Sequence, residues 1–182
     1  MMTHDENEKT NQPSRLFKAT EAAMLMDDLT WQRHANPWSG WTRVATMPLL
    51  SIAIWSRVWI QWWALVPITL VAIWIWVNPR LFPPPKSLDN WMSRGVLGEQ
   101  IWLGRVQAAI ASHHLAVVRA TTWIAGVGGI VWIVGLITLN LTAAVAGLSI
   151  SMLGKLWFLD RMVWIYRDHE ASLDDRPSKS SC

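Results

Sequence analysis

Two long apolar runs, Val44 to Val77 and Thr121 to Phe158, are separated and flanked by segments in which polar and charged residues return every few positions. The first run covers 34 positions. A single helix of that length would rise about 51 Å, well beyond a hydrocarbon core of about 30 Å. It is therefore expected to fold as a hairpin, with helices near Val44–Trp55 and Trp62–Val77 and a turn at Ser56–Gln61. Pro48 and Pro67 each remove a backbone donor and are expected to bend these helices. A re-entrant pair that does not cross fully is the competing geometry. The second run divides at Asn140 into Thr121–Leu139 and Leu141–Phe158, two further spans. Gly128 and Gly135 on the first, and Ala143, Gly147 and Ser151 on the second, are small residues that let helix backbones approach closely in lipid.

The remaining segments follow from the same pattern. Residues 1–14 are acidic and polar, too poor in apolar side chains to fold, and read as a disordered tail. Residues 15–43 form an amphipathic, Trp-rich approach to hairpin 1 (44–77). Residues 78–120 hold the Pro83-Pro84-Pro85 step, an irregular stretch from Ser87 to Gly98, and an amphipathic helix from Glu99 to Arg119 expected to lie along the interface. Asn78-Pro79 is expected to end the second helix. Hairpin 2 occupies 121–158, and 159–182 is its helix end and a polar tail. The fold class is an all-α integral membrane protein: four transmembrane helices in two hairpins plus an amphipathic interfacial helix.

Composition agrees, at 52% hydrophobic and 16% charged over 182 residues, against about a quarter charged in soluble domains. Charge placement adds a topology. Of sixteen Lys and Arg, only Arg57 falls at the far turn, so the positive-inside rule puts both termini and the middle segment in the cytoplasm. Localisation is thus the cytoplasmic (inner) membrane. Basic residues report orientation here, and nucleic acid is not an expected partner. Trp31, Trp38, Trp41, Arg43, Arg57, Trp59, Trp62, Trp63 and Arg80 are expected at the lipid interface, where amphipathic rings and snorkelling cations sit. Cys182 has no partner for an internal disulfide and is misplaced for prenylation, and the N-terminus carries no signal-peptide pattern.

Chemistry-bearing residues are few. His34, His113 and His114 are the candidate haem or metal ligands, with Glu99 and Asp160 as candidate acids or further ligands. Adjacent histidines on a helix diverge by about 100°, and no H-x-x-x-H pair is present, so an interfacial or packed role is the simpler reading and no cofactor is required. Lys155 is expected to snorkel. No G-x-S-x-G, P-loop or dinucleotide-binding glycine pattern occurs, and Gly126-Val127-Gly128-Gly129 lies within an apolar span.

The stretch Trp31-Gln32-Arg33-His34-Ala35-Asn36-Pro37-Trp38-Ser39-Gly40-Trp41-Thr42-Arg43 resembles a family of small prokaryotic multi-pass membrane proteins of unknown function, with the motif W-x-R-H-A-N-P-W-S-x-W-T-R. Asn78-Pro79-Arg80-Leu81-Phe82-Pro83, Gly95–Glu99 and Asp160–Trp164 are similar too. The resemblance covers roughly residues 30 to 168 and implies no activity, cofactor or catalytic residue. The expected role is a structural or interaction component of the membrane, with lipids, a membrane protein or a second copy as partner. A haem- or metal-dependent redox enzyme using the interfacial histidines is the alternative, and a small transporter acting as an oligomer the second alternative; whether the chain is an enzyme stays open.

Overall fold

The computed structural model describes residues 28–104, 106 and 110–174. Among them are seven α-helices and no strand: α1 (Asp28–His34), α2 (Pro37–Trp55), α3 (Arg57–Ile60), α4 (Leu65–Leu81), α5 (Trp91–Trp102), α6 (Ser112–Thr138) and α7 (Leu141–Asp174). A 3-10 turn at Gln61–Ala64 joins α3 to α4. The acidic segment 1–14, most of the amphipathic stretch from Arg15, and the polar tail from 175 lie outside the described residues.

The α6–α7 hairpin is the largest packed unit, and glycine sets how close its helices come. A Cβ at Gly135 would collide with the backbone of Ala143 and Ala144, and one at Gly128 with that of Ile150 and Ser151. From the other side, Gly147 faces the backbone of Val131 and Trp132, and Gly154 that of Ala125. Each helix thus carries two glycines seven residues apart, meeting the partner in one antiparallel register. In lipid, where apolar surface gains nothing by leaving water, such close van der Waals contact drives helix pairing. The turn is tight. Leu139 takes the left-handed conformation, φ 55°, and the Asn140 side chain accepts from Ala143 N at 3.0 Å to cap α7.

Three helical stretches among the described residues are long and apolar enough to cross a membrane, Pro37–Leu81, Ser112–Ile137 and Leu141–Asp174, rather than the four expected. The first stretch folds back on itself through α3 and the 3-10 turn, so that α2 and α4 lie side by side. Neither limb qualifies alone. The apolar parts, Val44–Trp55 and Leu65–Val77, rise only about 18–20 Å. The polar rest is tied together at the open end, where Ser39 Oγ donates to Asn78 Oδ1 at 2.9 Å and Asn78 Nδ2 to Thr42 Oγ1 at 2.7 Å. At the closed end Arg57 donates to the carbonyls of Leu136 and Ile137, the latter at 3.1 Å. The Trp132 indole donates to Ser51 Oγ at 2.8 Å. Both hairpin turns therefore lie at the same end of the bundle.

Three expectations about the middle segment are corrected. Helix α4 runs through Asn78-Pro79 to Leu81 instead of stopping there, because pre-proline strain is outweighed by the hydrogen bonds that hold the buried Asn78 side chain. The helix expected over Glu99–Arg119 is broken: α5 ends at Trp102, Gly104 adopts φ 73°, and α6 begins at Ser112. What was expected to be irregular from Ser87 to Gly98 is mostly α5, capped by Asn90, whose side chain accepts from Ser93 N at 2.9 Å. This helix is a wedge, not an interfacial strip. Gly95 and Gly98 bring it against Leu159 and Met162 of α7, while Val96 packs with Trp31, Ala35 and Leu103 on its other side.

Candidate functional site

The residues of the Trp31–Arg43 stretch are used mainly to fasten elements together. Asn36 caps α2 by accepting from Trp38 N at 2.9 Å, and its amide donates to Pro83 O at 2.9 Å. Arg33 donates to Arg80 O at 3.1 Å, and Ser93 Oγ to Ala35 O. Together with the Ser39–Asn78–Thr42 bonds, these join the two Asn-Pro steps to α5. Trp31, expected at the headgroups, is buried in this junction, because its ring fills the space between α1 and α5. Trp38, Trp41, Trp59, Trp62 and Trp63 remain exposed; Trp41 stacks on Trp91 at 6.0 Å. The Arg80 guanidinium lies over the Trp76 ring at 4.4 Å.

Beside the clasp lies a half-open cavity of about 450 Å³ between α1, α2, α4, α5 and α7. Most of its wall is apolar: Val44, Met47, Met92, Val96, Met152 and Phe158 are among the lining side chains. The polar part consists of His34, Arg43, Glu99 and Lys155, with Thr46. Arg43 was expected at the lipid interface; instead its guanidinium turns inward, donating to the His34 ring, to His34 O at 3.3 Å and, through Nε, to Ser39 O at 3.1 Å. A guanidinium only donates, so its contact with the ring favours the neutral imidazole over the imidazolium. Burial first, then the positive charges of Arg43 and Lys155, hold His34 well below its usual pKa. Glu99 attracts Arg43 from α5. Lys155 stands exposed on α7 at the cavity margin.

The candidate ligands do not converge on one centre. His34 and Glu99 share the cavity, whereas Asp160 accepts from the Trp91 indole at 3.0 Å. His113 and His114 lie on the first turn of α6, with ring centroids 4.0 Å apart, and His114 Nε2 sits 2.8 Å from Asp168 Oδ2 on α7. Adjacent histidines meet here because the first helical turn has no preceding turn to constrain the His113 rotamer.

Over residues 15–181 the sequence matches a family of unknown function, DUF6653. The chain belongs to this family. No curated protein and no solved structure matches it. In this DUF6653 chain, two functional candidates carry no local sequence signal. Lys155 lines the cavity margin from a helix position 112 residues away from Arg43 in sequence, and Asp168 reaches His114 only through the hairpin fold. The second could have been found by counting: extending the α6–α7 glycine register outward sets His114 opposite Ile165, one turn from Asp168.

Proposed function

We propose that this chain is a multi-pass protein of the cytoplasmic membrane, both termini cytoplasmic, whose cavity binds an amphiphile with an anionic head. The observation that carries this is that Arg43, Glu99 and Lys155 all line one mostly apolar cavity. Depth makes these charges unusual. Arg43 lies 14 residues from Arg57, and Lys155 14 residues from Leu141, so both stand about 21 Å from the closed end of the bundle. With the closed end at the far interface of a core about 30 Å thick, both cations fall within the hydrocarbon depth. Ionisable groups at such depth are costly and are kept for a use.

The use follows from the charge balance. Two cations and one carboxylate line the cavity, and His34 is neutral, so one anionic headgroup completes the set while its chain follows the apolar wall. A volume near 450 Å³ is within the range of small-molecule sites, about 300–1,000 Å³. The outer surface supports the same setting. Only 6% of the apolar window in Pro37–Leu81 is buried, and Trp59, Trp62 and Trp63 are exposed at the turn, where they would anchor at headgroups.

The test is to purify the protein in a mild detergent and quantify co-purifying acyl lipids and fatty acids by mass spectrometry against the source membrane. Anionic species should be enriched near one per chain. Lys155→Gln, an exposed change that spares the fold, should lower retention about tenfold, as expected for losing one charge-assisted hydrogen bond. Bound lipid that mirrors the bulk membrane and ignores Lys155→Gln would refute the proposal.

A further inference from the structure

We infer that His113, His114 and Asp168 form a binding site for a divalent transition ion of the zinc class, separate from the cavity. One nitrogen or oxygen from each residue lies within 4.8 Å of the others. The decisive member is His114. Its side chain is 2% exposed, Nε2 is spent on Asp168, and Nδ1 is buried without a hydrogen-bond partner.

A histidine kept only for packing or for an ion pair would be expected to satisfy both ring nitrogens, because a buried unpaired polar atom costs about 1–3 kcal/mol. With Nε2–H donated to Asp168, Nδ1 holds a lone pair facing no proton. That is the electronic state of a metal-binding imidazole, with a carboxylate behind it of the kind that orients such ligands. Alternatively, an ion replaces the shared proton and takes Nε2 and Asp168 together. In both arrangements His113 supplies the neighbouring imidazole.

The geometry is close to closing. A tetrahedral ion with bonds of about 2.0–2.2 Å holds its ligand atoms about 3.4 Å apart. His114 is fixed in the core, while His113 and Asp168 are exposed and can rotate the remaining distance. Two imidazoles and one carboxylate suit zinc and its neighbours; magnesium and calcium prefer all-oxygen shells. In the second arrangement three protein ligands leave a fourth position for water or a substrate atom; in the first, His113 and His114 are the protein ligands and Asp168 orients His114. The positive end of the α6 dipole opposes a cation here, and the Asp168 carboxylate offsets it. Asp168 lies 13 residues beyond Lys155 on α7, about 20 Å along the helix, so this site and the cavity can be tested independently.

The experiment uses full-length protein carrying a histidine-free affinity tag, stripped with a chelator and titrated with zinc chloride against a chromophoric competitor. One Zn²⁺ per chain should bind, with no comparable binding of Mg²⁺ or Ca²⁺. His113→Gln and Asp168→Asn, both at exposed positions, should each weaken zinc binding at least tenfold. His169→Gln, beside the cluster but outside it, should leave binding unchanged. No stoichiometric zinc binding, or binding that His113→Gln and Asp168→Asn leave untouched, would overturn the inference.

Discussion

Helix α5 can hold Glu99 against the cavity only because its neighbour in sequence has no side chain. An added Cβ at Gly98 would lie 2.5 Å from Met162 C and closer still to the Met162 carbonyl oxygen. These are backbone atoms inside a helix, so no side-chain rotation relieves the clash. Gly98→Ala must therefore drive α5 off α7 by about 1 Å to restore ordinary contact. The loss falls on Ile101, Met162, Val118 and Ile165, one buried cluster across the three helices. A gap of 0.5–1 Å forfeits a quarter to a half of each contact worth about 0.1–0.2 kcal/mol, and a buried side chain makes about 40–60 of them. The sum is about 3 kcal/mol. Alanine's better helix propensity returns up to about 1, leaving a net cost of about 2, inside the range for overpacked cores. Gly126→Ala is the matched control, since its Cβ meets nothing within 4 Å and should gain up to about 1 kcal/mol. Reversible unfolding in mixed micelles, followed by tryptophan fluorescence, measures both. The variants should separate by about 3 kcal/mol, and Gly98→Ala should also lose bound amphiphile. Equal stability of the two would refute the claim that backbone contact at Gly98 positions α5.

Four further outcomes are expected. Asn78→Leu strands the buried Ser39 hydroxyl and should cost about 2 kcal/mol; the Ser39→Ala, Asn78→Leu double variant should cost less than the two singles together, and strict additivity would count against the clasp. Because His34 stays neutral in the fold, the unfolded chain takes up its proton first as pH falls below about 6.5. Its stabilising share is full above that value and declines below it, so wild type should lose about 1 kcal/mol relative to His34→Gln between pH 7 and 5.5; parallel pH profiles would exclude this. Arg57→Met removes the guanidinium nitrogen that donates to two α6 carbonyls and should lower the midpoint of thermal unfolding in detergent by a few degrees, whereas an unchanged midpoint would show that the contact holds nothing. A cysteine at Gln61 in a Cys182→Ser background should react with an impermeant maleimide only from the face opposite the termini, and labelling from the cytoplasmic face would reverse the proposed topology.

What could be read from the sequence was whatever depends on local pattern. The two apolar blocks, the small residues between α6 and α7 and the all-helical character follow from hydropathy and side-chain size, which act within a few turns. Crossing counts are harder, because a polar clasp shortens each limb of the first hairpin without changing the length of the apolar block. The same limit hid α5. Its sequence, WMSRGVLGEQIW, mixes glycine, serine and charge, and looks irregular until α7 supplies the Leu159 side chain and Met162 backbone that Gly95 and Gly98 fit and Ala35, just after α1, supplies the carbonyl that Ser93 bonds. Polar residues near a membrane are equally ambiguous by composition alone: Arg43 and Trp31 have the chemistry of interface anchors, yet both turn inward because Asn36, Ser39 and Asn78 set the path of the chain around them. For His113 and His114, helical divergence is the right rule for a helix interior and fails on a first turn. The carboxylate that gives the pair its chemistry lies 54 residues away from His114, brought beside it by a hairpin whose register is written in glycines rather than in any metal-binding motif.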